Sequence, residues 1–134
     1  MPEAFQYAVL RVIPSIARGE ALNVAVVLHC RRHDFLGVAG ELDEARLAAL
    51  DPNVDLQAVS SHLEAIERIA AGDPAAGPIA QLDRSERFGA IIAPASTMIQ
   101  PSAVHTGITA DPAATLAKLA VELVSAPATG SEPA

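Results

Sequence analysis

A chain of 134 residues has the size of one domain, able to bury roughly two thirds of its unfolded surface around a single core. It is 51% hydrophobic but only 3% aromatic, with no Trp, so that core is expected to consist of closely packed Val, Ile, Leu and Ala. A net charge of −7 argues against nucleic acid or anionic lipid as a partner, because neutralising phosphates requires clustered Lys and Arg.

Residues 5–13 (FQYAVLRVI) and 22–30 (LNVAVVLHC) are rich in β-branched and aromatic side chains, and ARGE between them reads as a hairpin loop. The second run is apolar on both alternating faces, as in a central strand covered on both sides. A turn at residues 31–34 leads into a third strand, 35–39, completing an antiparallel meander. Leu42, Leu47 and Leu50 change the spacing to helical, and Asp51-Pro52 stops a helix over 43–50. Asp55 caps the next helix, 55–71, whose stripe is Leu56, Val59, Leu63, Ile66 and Ala70 and whose end is Gly72. After the loop GDPAAGP, residues 88–93 (FGAIIA) and 97–100 (TMIQ) read as short strands separated at Pro94. Asp111 as N-cap and Pro112 at the first position open a last helix, 112–124, with Leu116, Leu119, Ala120 and Leu123 on one face. Residues 126–134 are too small and polar to pack, and a disordered tail is expected. The sum is one α+β domain, residues 1–125: an antiparallel sheet of about four to five strands with helices packed mainly on one face.

No apolar run reaches the ~18 residues of a membrane-spanning helix, and MPEAFQYAVL lacks the pattern of a signal peptide. The lone Cys30 cannot form an internal disulfide. A cytoplasmic protein without a membrane partner is expected.

The stretch STMIQPSAVHTGITADP, residues 96–112, concentrates small hydrogen-bonding side chains around one histidine. In a binding reading, His105 is a general base or phosphate contact, while Ser96, Thr97, Gln100, Ser102 and Thr106 orient the ligand, Arg87 supports them and Gly107 permits close approach. In the other reading these groups satisfy the backbone of an ordered connection. His29-Cys30 and His33-Asp34 carry metal-ligating types, but strand neighbours point to opposite faces. No metal site is expected, with His29 at the surface and Cys30 a buried thiol. Arg11, Glu20 and Asn23 lie in or beside the most apolar strands, where a charge needs a partner, and Glu20 at the hairpin end is the candidate for Arg11. There is no Walker loop, dinucleotide fingerprint or CxxC pair, and no cofactor is expected.

The blocks YAVLRVIPSIARGEALNVAVVL and RFGAIIAPASTMIQPSAVHTGITADP, with their motifs GE-x-x-NV-x-VVL and QP-x-x-VHTG-x-x-x-DP, resemble an uncharacterised bacterial family designated domain of unknown function three-zero-three-seven. The resemblance runs from about Phe5 to Val124 and implies a small intracellular protein, often encoded beside kinases similar to the HipA toxin. It implies no catalytic residue. Two functions follow from the residues and the resemblance together. The first is a non-enzymatic interaction or accessory protein, partnered by a HipA-like kinase or by a second copy, with residues 96–107 as its contact or ligand-sensing surface. The alternative is a small enzyme or nucleotide- or anion-binding module built on His105, with Arg87, Gln100 and Thr106 in support.

Overall fold

The computed structural model describes residues 1–94 and 97–126. Its scaffold is the meander: β1 (Glu3–Val12), β2 (Leu22–Cys30) and β3 (Phe35–Gly40) are antiparallel neighbours, with Val9 opposite Val26 and Val27 opposite Val38. The register slips once, where Leu10 faces Ala25 but Arg11 faces Asn23, so Val24 is the extra residue of a bulge. The strong period of two sends Ala8, Leu10, Val12, Ala25 and Val27 to one side of the sheet, and Phe5, Val26, Leu28 and Cys30 to the other.

Both sides are covered. On the first, Leu47 of α1 (Glu44–Leu50), Val59 and Leu63 of α2 (Leu56–Ala71) and Phe88 of α3 (Arg84–Ile92) complete the larger core. On the second, Leu116 of α4 (Pro112–Leu123) and the adjoining Val124 pack over Val26, Leu28 and Cys30. This is the expected α+β architecture, an antiparallel sheet with helices mainly on one face. Each helix start follows from the same chemistry: Asp43, Asp55, Asp83 and Asp111 each accept a hydrogen bond from the backbone N–H three residues on.

The outer edge of β1 differs from the expectation. Of residues 88–93, Phe88 to Ile92 form the second half of α3 instead of a strand, and Ala93 is its C-cap. A short apolar run does not by itself separate strand from helix, but Asp83 followed by Glu86 is a capping pair, and Phe88, Ile91 and Ile92 then fall on one helical face. The strand expected at 97–100 is β4 (Ile99–Pro101), paired with Leu10–Val12, and a further strand, β5 (His105–Thr109), pairs with Glu3–Tyr7. Since β2 occupies the opposite edge of β1, β4 and β5 lie end to end along this one. Ser96 and the tail from residue 127 onward lie outside the described residues. Among the described residues, no helix is long and apolar enough to cross a membrane.

Candidate functional site

Most polar side chains of the 96–112 stretch serve its own backbone. The Thr97 hydroxyl donates to Ile99 O at 2.9 Å and Gln100 Nε2 to Thr97 O at 3.1 Å. Ser102 bridges β4 and β5: its amide donates to Val9 O at 2.8 Å, and its hydroxyl accepts from Val9 N at 2.9 Å and donates to Ala103 O at 2.9 Å. Thr109 Oγ1 lies 2.6 Å from Thr115 Oγ1 and accepts from Asp111 N at 3.0 Å, joining β5 to α4.

The residues grouped around His105 do not converge. His105 is exposed, its ring laid against Tyr7 with centroids 5.2 Å apart. Arg87 turns away to donate to Leu82 O at 2.6 Å. The space over Gly107 belongs to Phe5, whose ring carbon would stand 2.6 Å from any added Cβ, so this glycine admits an aromatic ring of the chain itself. Thr106 points to the other face of the sheet, opposite Gln6.

The pairing of Arg11 with Glu20 gives way to other contacts. Glu20 takes Arg18 Nε at 2.7 Å, within the hairpin loop where the two are neighbours. Arg11 Nε is buried without a hydrogen-bond partner among the described residues. Asn23 donates from Nδ2 to Leu123 O at 3.0 Å and so closes the C-terminal end of α4 against the sheet.

Following Thr106 across the sheet leads to a cleft of about 470 Å³. The strand register sets Thr106, Gln6 and His29 side by side on three strands, beneath the N-terminal half of α3, with Arg31, Ser85 and Phe88 forming walls. An adjoining cleft of about 240 Å³ joins His29, Arg31 and Ser85 to Asp34, Asp83 and Arg84. His29 is only 7% exposed, its ring 5.1 Å from that of Phe88, and it makes no side-chain hydrogen bond among the described residues. Burial first, then the Arg84 and Arg31 charges, push its pKa below the ordinary value of 6.5, so the imidazole is neutral at neutral pH. Asp34 holds Arg84 at 3.6 Å, and Asp83 caps α3 through Glu86 N at 2.8 Å. Arg31 has no ion pair among the described residues.

The expectation of a surface His29 is therefore corrected: α3 covers it. The signal was present, since His29 continues the Ala25, Val27 alternation toward the larger core, but it carries weight only once residues 84–92 are recognised as a helix. Cys30, one residue on, is buried on the opposite face, and its thiol donates to Ala4 O at 3.5 Å. Among the described residues no three His, Cys, Asp or Glu side chains gather as metal ligands. Ser85 and His29 share the cleft without a hydrogen bond between them. What this arrangement offers is recognition: hydroxyls, an amide, a neutral imidazole and arginines beside an aromatic wall.

No curated protein and no solved structure matches the chain. The model of one family, described as a protein of unknown function, DUF3037, matches residues 7–124, from Tyr7 in β1 to Val124 after α4. The two motifs that implied this family, one entering the central strand β2 and one running along β4 and β5, thus belong to one continuous match, and the chain is a member of the DUF3037 family.

Proposed function

We propose that the chain is a non-enzymatic interaction module, an accessory protein that engages its partner through the open edge of β5. The observation that carries this reading is the state of that edge. β5 pairs with β1 alone among the described strands, its five residues HTGIT contain no Lys, Arg, Asp, Glu or Pro, and Ile108 is 75% exposed. Edge strands that are not used for contact are ordinarily blunted by charge, proline or a covering element, because their outward N–H and C=O groups template further pairing. The dispersal of Arg87, His105 and Thr106 to separate surroundings supports a contact role over catalysis at His105.

The family resemblance points to a HipA-like kinase as the partner, with a second copy of this chain as the other occupant of the same edge. The test is to mix the purified chain with a HipA-like kinase from the same genome and measure the assembly by native mass spectrometry, with Ile108→Lys beside wild type. A kinase complex lost in the variant, whose fold is retained because Ile108 is exposed, supports the reading. A complex indifferent to Ile108→Lys removes the β5 contact. A homodimer lost in the variant transfers the edge to a second copy.

A further inference from the structure

The polar groups that the fold leaves uncommitted in the His29 cleft are mostly able to donate hydrogen bonds. Asp34 is occupied with Arg84 and Asp83 with the α3 backbone. Gln6, His29, Ser85 and Thr106 make no side-chain hydrogen bonds among the described residues, and Arg31 lacks an ion pair there. With the carboxylates engaged internally, the remainder is mostly donors: a guanidinium, two hydroxyls, an amide and a ring N–H, facing a space that fits a small molecule. His29 is largely buried, and its ring lines the cleft with no hydrogen-bond partner among the described residues, so it is free to bond a molecule held there.

We propose that this cleft binds a small organic phosphate. Its phosphoryl oxygens accept from Arg31, Ser85 and Thr106, with His29 donating from the floor, and its apolar body lies against Phe88. Because Asp83 already takes the Glu86 amide and sets its own negative charge at the start of α3, the anion is held by side chains and not by the helix end. The Asp34–Arg84 pair is exposed and long enough to open, which frees a second guanidinium. Several donors converging from different elements suit a group with three terminal oxygens better than a planar carboxylate. The inference stands apart from the edge-strand reading, since Arg31 is on the turn after β2 and its replacement leaves Ile108 untouched.

The experiment is an NMR titration of the full chain with phenyl phosphate, inorganic phosphate and phenylacetate at constant ionic strength, following the amides of Ser85, Arg31 and Thr106 and the His29 ring. Phenyl phosphate is expected to give saturable shifts confined to these signals, with inorganic phosphate weaker at the same place. Arg31→Gln, at an exposed position, is expected to keep the fold and weaken binding about tenfold through loss of a charge-assisted contact. Absence of saturable shifts, shifts centred elsewhere, or unchanged affinity in Arg31→Gln would overturn the site. Phenylacetate binding as tightly as phenyl phosphate would overturn the assignment to phosphate.

Discussion

Ser102 and Val9, 93 residues apart in sequence, hold each other twice: the Ser102 amide donates to Val9 O at 2.8 Å, and the Val9 amide donates to the Ser102 hydroxyl at 2.9 Å. A side chain here stands in for the backbone acceptor that β1 would otherwise lack between β4 and β5. The composition of the 96–112 stretch follows from such substitutions.

Ser102→Ala leaves the buried Val9 N–H without its acceptor and is expected to destabilise the fold by about 1–3 kcal/mol. Urea denaturation measures this, and hydrogen exchange should show the Val9 amide opening faster. A variant as stable as wild type would mean that another acceptor takes over.

Two glycines should respond in opposite directions. A Cβ at Gly40 would collide with Val24 O, in the backbone of the bulge, so Gly40→Ala is expected to lose about 1–3 kcal/mol through overpacking. Gly89 lies inside α3 with nothing among the described residues within 4 Å of an added Cβ. Gly89→Ala should therefore gain about 0.5–1 kcal/mol from helix propensity. A loss at Gly89 would count against α3 as a helix.

His29 makes stability depend on pH in one direction. Burial, Arg84 and Arg31 lower its folded pKa below 6.5, with Asp83 acting weakly the other way. Above 6.5 both states are neutral at this position and nothing is lost. As pH falls through 6.5 the unfolded chain takes up a proton that folded His29 resists, so stability declines until the folded pKa is passed. The imidazole signals should titrate below 6.5, and the fall in Tm between about pH 7.5 and about pH 5.5 should be smaller in His29→Gln. An identical fall in both proteins would contradict the assignment.

What the sequence revealed, and what it hid, have separate physical causes. Asp43, Asp55 and Asp111 announce their helices because capping is local, and the doubly apolar alternation of β2 announces a strand covered on both sides. FGAIIA carries no such local decision, and only the capping pair Asp83 and Glu86 upstream settles it as helix. β5 was obscured because HTGIT is polar and short, its strand form being set by pairing with Glu3–Tyr7. The site shifted for the same reason: Thr106 was legible as a candidate, but its neighbours Gln6, His29 and Ser85 meet it only through sheet register and the placement of α3. Arg11 and Glu20 were adjacent by hairpin logic, yet Arg18 was closer to the Glu20 carboxylate.

The most direct test of the interaction reading is hydrogen exchange on the purified chain with and without a HipA-like kinase, read along the two sheet edges. The account predicts protection gained at His105–Thr109 in wild type and absent in Ile108→Lys. Protection gained at Phe35–Gly40 instead, or at neither edge, would contradict it.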